Sequence, residues 1–244
     1  MKTNYIVLLA LAFIALTISS CRKEGCTDET ATNYDPKAKK DDGSCEFEDI
    51  SLKFPQITLN GNNPQSVFIN EDYVELGATA INPEDNSEAD VEIDNEAVNT
   101  NEVGTYEVIY TATNQYGTTT ETREVNVVVG AGNYEGTFTT DHNCSGTQFP
   151  IAGETDITLT GENTLVIENA FNLVGGQIDL VVDGSNVTVP TQEQALAGGI
   201  ATVTLDGSGT MNSTATSFVI DYNYDNAAPL IGGQGSCTVT YTRQ

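Results

Sequence analysis

Tryptophan is absent from this 244-residue chain, histidine occurs once (His142), and Lys and Arg number nine against 35 Asp and Glu. The shortage of positive charge is sharpest in the body. From Phe54 onward the only basic residues are Arg123 and Arg243, against 26 acidic ones. Nucleic-acid binding rests on Lys and Arg that neutralise phosphates, so nucleic acid is excluded as a partner. Polyanionic glycans are disfavoured by the same repulsion. The acidity suits a soluble body that must not collapse onto an acidic cell surface. One histidine and no Cys-x-x-Cys spacing leave a zinc site without ligands. There is no Gly-x-Ser-x-Gly elbow, no His-Glu-x-x-His, no Walker loop and no Gly-x-Gly-x-x-Gly opening a helix. His142, in Thr140-Asp141-His142-Asn143, reads as a solvated loop residue. The chain is therefore expected not to be an enzyme.

What is present begins with a leader. Lys2, an apolar run from Tyr5 to Leu16, and Ile18-Ser19-Ser20 form the pattern of a secretory signal peptide over residues 1–20. The run is too short to cross a bilayer comfortably. Cys21, directly after Ile-Ser-Ser, resembles the lipobox of bacterial lipoproteins. The resemblance implies that Cys21 is lipidated and becomes the first mature residue. Membrane contact would then run through the lipid, at the cell outer membrane on its periplasmic or surface-exposed face. In an oxidising compartment the other four cysteines pair off as Cys26 with Cys45 and Cys144 with Cys237. Loop-closure entropy makes these bridges worth about 3 and about 4.5 kcal/mol.

Residues 21–50 read as a lipidated, disulfide-stapled stalk. Cys26 to Cys45 holds few large apolar residues, mainly Tyr34, too few to fold without a staple. The stretch resembles a Cys-bounded motif, C-T-D-x-x-A-x-N-Y followed by D-D-G-S-C, of secreted and surface proteins of Gram-negative envelopes. Its carboxylates Asp28, Asp35, Asp41 and Asp42 are candidate Ca²⁺ ligands, because Ca²⁺ takes oxygen donors. Their spacing is not that of an EF-hand loop, and solvated turns are the alternative. No other cofactor is expected.

Residues 53–130 alternate: Ile57 and Leu59; Val91 and Ile93; Tyr106, Val108 and Tyr110; Val125, Val127 and Val129. Period two without helical periodicity predicts half-buried antiparallel strands and a β-sandwich. Asp90, Glu92 and Asp94 share one strand face, with Ca²⁺ bridging or plain solvation as alternatives. The segments Pro55–Gly61, Tyr73–Ala80 and Gly104–Gly117 resemble the immunoglobulin-like (Ig-like) repeat of bacterial surface proteins, also found in crystal toxins and related to hyalin repeats. That resemblance implies a spacer or adhesion module with no catalytic residues.

Residues 133–244 predict about eight strands separated by turns such as Gly161-Glu162-Asn163, Asp183-Gly184-Ser185-Asn186 and Asp206-Gly207-Ser208-Gly209. A second antiparallel β-barrel or β-sandwich domain is expected. Tyr134-Glu135-Gly136, Val189-Pro190-Thr191-Gln192 and Cys237-Thr238-Val239-Thr240-Tyr241 loosely resemble lipocalin-like domains of envelope lipoproteins. That implies a small interior or rim able to hold a ligand. Tyr222 and Tyr224 share a strand face. Exposed, they form a sugar platform; buried, they are core. The fold class is all-β throughout. The expected function is a lipid-anchored envelope protein whose Ig-like spacer presents a C-terminal binding or adhesion module to a protein or glycan partner. The alternative is a surface glycan-binding accessory of a polysaccharide uptake system.

Overall fold

The computed structural model describes residues 22–244 except 173, 174, 197, 198, 200 and 231. Cys21 and the leader lie outside the described residues. The chain divides into two compact units, Met1–Phe54 with Gln115–Gly117, and Pro55–Asn114 with Thr118–Gln244.

The described part of the first unit has almost no core. Only Cys26 and Ala31 are buried. The Cys26–Cys45 disulfide is present, and side chains do the rest. Asn33 accepts from Glu46 N at 2.8 Å and donates to Ser44 O at 2.5 Å, closing the segment on itself. A 3₁₀ turn, Ile50–Lys53, is capped by Asp49. Phe54 lies so close to Gly117 that any side-chain carbon there would collide with the ring.

In the second unit, β1 (Gln56–Leu59), β3 (Ala78–Ile81) and β4 (Glu88–Ala89) form one sheet. The facing sheet has the order β2 (Gln65–Phe68), β7 (Thr118–Val128), β6 (Gly104–Thr113), β5 (Val91–Asp94). The alternation works as expected on β6 and β7, which turn Val108, Tyr110, Val125 and Val127 inward. Ile93 is the exception, 41% exposed on the edge strand. The sandwich core is small: Val67, Val108, Tyr110 and Val125, with Ile57, Leu59 and Tyr73 at its margin.

Arg123 sits in that core, fully buried. Its Nη1 meets Glu75 Oε1 at 3.1 Å, Nη2 donates to Asn60 O and to Gly77 O, and the guanidinium lies 5.3 Å from the centre of the Tyr110 ring. Glu75 also accepts from Tyr110 and Tyr73, both at 2.5 Å, and from Gly77 N at 2.7 Å. Burial pushes the Glu75 carboxyl up, but the two phenols, the Gly77 amide and Arg123 together hold it below its ordinary value. Burial and the same carboxylate push Tyr73 up to about 12. A charge in a dry interior is tolerated only when paired and hydrogen-bonded. Here it ties the two sheets together.

The remaining strands are β8 (Gly136–His142), β9 (Glu154–Leu159), β10 (Thr164–Glu168), β11 (Ile178–Asp183), β12 (Asn186–Leu196), β13 (Ala201–Met211), β14 (Ser217–Asn226) and β15 (Gly233–Arg243). Each pairs antiparallel with the next, and β15 returns to β8, closing an eight-stranded barrel. Two turn signals are overridden. Gly207 and Gly209 lie inside β13, paired with Tyr222 and Ile220. Strand β14 crosses so closely that a side chain at 207 would come within 2.7 Å of Asp221 O. Glycine here marks a tightly bent barrel wall. Pro190 likewise does not end β12. The register slips between Val189 and Gln192. The Gln192 side chain then takes over the ladder, accepting from Asp179 N at 2.9 Å and donating to Asp179 O at 3.0 Å.

The sandwich is packed on the barrel rather than strung to it. Ile69, Val127 and Val129 belong to the same buried cluster as Tyr134 and the barrel interior. Val103 N donates to Ser213 O at 2.8 Å. Arg243 donates to Glu135 O at 2.7 Å and Asn133 O at 2.5 Å, while its guanidinium lies 4.9 Å from the centre of the Phe138 ring. Both arginines of the body are thus spent on holding chain crossings together.

Candidate functional site

The barrel interior is filled. Phe149, from the loop after β8, stacks on Tyr224 with centroids 4.7 Å apart and packs edge-on against Phe171. Phe218 stacks on Tyr241 at 4.7 Å. An eight-stranded barrel is just wide enough to be filled by side chains, and here it is. An open ligand-holding interior is accordingly not formed around these rings.

The sugar platform is corrected for the same reason. Tyr222 is 1% and Tyr224 7% exposed, both pointing inward. Barrel closure decides which face of β14 is inside, and it takes the apolar one. The hydroxyls of Tyr222 and Tyr241 meet at 2.8 Å, and burial pushes both phenols up. Tyr222→Phe should cost about 1–3 kcal/mol by stranding the Tyr241 hydroxyl. Replacing both by Phe should cost less than the sum of the single changes, read from a double-mutant cycle in urea.

The face left outside is polar. Alternation along β14 sends Asp221, Asn223 and Asp225 outward. They face Ser208, Asp206 and Thr204 on β13 and Thr238, Ser236 and Gln234 on β15. Two adjoining concavities of about 490 and 470 Å³ share Asp206, Asn223 and Ser236. Asn223 donates to Asp206 at 3.0 Å, Thr238 to Asp221 at 2.5 Å and Gln234 to Asp225 at 2.8 Å. Each of these carboxylates thus accepts a hydrogen bond from a neighbouring strand. The signal for this face was the alternation that drew attention to Tyr222 and Tyr224, read one residue out of phase.

The Cys144–Cys237 disulfide closes beside this face, joining the segment after β8 to β15. His142 is not in a loop. It ends β8 opposite Val239, and its Nδ1 accepts from Cys144 N at 3.3 Å.

The stalk carboxylates are not brought together as a calcium cage. Asp28 accepts from Thr30, Asp41 from Gly43 N, and Asp42 from Ser44 N, each capping its own turn. Asp35 accepts from Lys37 N and pairs with Lys23. Their hydrogen-bond partners hold the carboxyls of Asp28, Asp35 and Asp42 below the usual range. Nor do Asp90, Glu92 and Asp94 form a cage. Among the described residues no group of three His, Cys, Asp or Glu side chains is placed to hold a metal.

With this geometry in view, the comparisons with known proteins are informative for one part of the chain. Residues 57–127 match the family of bacterial surface protein Ig-like domains. The sandwich is an Ig-like domain. No curated protein matches the chain. One solved structure, the lipoprotein BT2262 from Bacteroides thetaiotaomicron, is 20% identical over 78% of this chain and all of that one, at a TM-score of 0.29.

Proposed function

We propose that this chain is a non-enzymatic lipoprotein of the outer membrane, anchored through Cys21, whose Ig-like domain and barrel present the polar face of β13, β14 and β15 as a binding or adhesion surface. The observation that carries the reading is the filled barrel. Phe149, Phe218 and four tyrosines pack inside the barrel, which supports a reading in which binding uses the outside. The outward grid is a shallow surface lined by groups that form directional hydrogen bonds. The Ig-like match and the lipobox-like Ile18-Ser19-Ser20-Cys21 support an envelope location. A glycan-binding role is supported by the same grid and no longer by Tyr222 or Tyr224. Carboxylate, amide and hydroxyl groups on neighbouring strands, about 5 Å apart, suit adjacent sugar hydroxyls.

The test has two arms. Cys21→Ser should move the protein from the membrane to the soluble fraction; retention with membranes would remove the anchor from the reading. Thermal unfolding of the full chain against neutral oligosaccharides and protein segments should show one class that stabilises. A ligand at about 100 times its dissociation constant contributes about 2.7 kcal/mol. The shift should vanish in Asp206→Ala/Asp225→Ala. A shift that survives this change places binding elsewhere.

A further inference from the structure

The Ig-like domain carries its own concavity, distant in chemistry from the polar grid. Strand β2 is an edge of its sheet. Beside it lies a groove of about 300 Å³ lined by Gln65, Phe68 and Val74, with Glu71 and Asp72 at its rim. Two features set this groove apart from ordinary solvated surface.

Its walls are apolar and open: Phe68 is 51% and Val74 65% exposed. Clustered large apolar side chains on one patch mark an interaction site where single ones do not. Gln65 Nε2 donates to Val74 O at 2.9 Å and so fixes one wall of the groove. Finally, the rim is acidic and uncompensated. Glu71 and Asp72 are exposed, and among the described residues neither makes an ion pair.

We infer that this groove docks an extended segment of a protein partner. The segment places an aliphatic or aromatic side chain between Phe68 and Val74, and a flanking Lys or Arg against Glu71 and Asp72. An extended chain beside an edge strand is an established way to combine main-chain and pocket recognition. A glycan would leave the apolar walls without a partner, and an acidic segment would be repelled by the rim. The Ig-like domain and barrel of a second copy offer no cation, since Arg123 is fully buried and Arg243 is committed to Asn133 and Glu135.

The probe is a set of end-blocked pentapeptides, Lys-Ser-Xaa-Ser-Lys with Xaa as Phe, Leu or Gly, titrated into the ¹⁵N-labelled full chain. The Phe and Leu peptides should shift amides of residues 65–68 and 71–74, and the Gly peptide should not. Glu71→Lys/Asp72→Lys should weaken binding about tenfold or more through the lost attraction. Val74→Asp should abolish it. All three positions are exposed, so an unchanged thermal transition will show that the variants fold. Absence of shifts at millimolar peptide, shifts mapped elsewhere, equal response to the Gly peptide, or indifference to the charge reversal would each overturn the inference. The barrel grid would be untouched by any of those results, since its test reads different residues.

Discussion

Glu75→Ala should destabilise the second unit by about 3–5 kcal/mol, the range for removing one partner of a buried ion pair. The variant leaves the Arg123 guanidinium fully buried with no counter-charge, and strips Tyr73, Tyr110 and Gly77 N of their acceptor. Arg123 Nε already lacks a partner, so no spare interaction takes up the loss. Glu75→Gln should cost less, because an amide oxygen still accepts from the phenols. The pH dependence has a definite sign. Glu75 is held below its ordinary value of 4.5 in the folded protein. Its contribution is therefore complete above about 4.5 and lost as pH falls through the lower folded value. Tyr73 works at the other end. With its folded value raised from 10 to about 12, its contribution is present below 10 and lost as pH climbs toward 12. Urea unfolding at pH 7 and at pH 3.5 checks the acid side. The wild type should lose stability on acidification faster than Glu75→Ala, and a Glu75→Ala cost below about 1 kcal/mol would refute the role assigned to the network.

The second large effect is that of the barrel disulfide. Cys144 and Cys237 are 93 residues apart, and closing a loop of that length in the unfolded chain is worth about 4.5 kcal/mol. Cys144→Ser/Cys237→Ser should lower the melting temperature of the second unit by about 10 °C or more. Cys26→Ser/Cys45→Ser opens a bridge that spans only 19 residues, in the other unit, and should leave that transition in place. Differential scanning calorimetry of the two double variants separates them. Equal losses in both would mean that the two units unfold together.

Much of the architecture was legible because strands advertise themselves by alternation. Each barrel strand overlaps a period-two run, although β12 and β13 run on past the residues that were expected to end them. What misled was local chemistry whose meaning depends on neighbours. Gly207-Ser208-Gly209 has the composition of a turn, but adjacent β14 needs that backbone bare. Pro190 cannot donate to a ladder, yet the strand continues because Gln192 supplies the missing bonds from its side chain. Arg123 lies in a polar run, Thr118 to Glu124, that gives no hint of burial. Its partners come from Asn60, Glu75 and Gly77, far away in the chain.

The sequence by itself determined the all-β class and the cysteine pairing. These follow from composition and short-range periodicity, which need no knowledge of what lies across a sheet. Tertiary structure alone decided three things. Closure of the barrel chose the inner face of β14, burying Tyr222 and Tyr224 and exposing Asp221, Asn223 and Asp225. Packing of Ile69, Val127 and Val129 with Tyr134 joined the Ig-like domain and the barrel through a shared core. The ending of a sheet at β2 left an apolar groove flanked by Glu71 and Asp72 beside it. Each depends on which residues distant in the chain become neighbours, and a strand's own pattern is the same whichever side is finally covered.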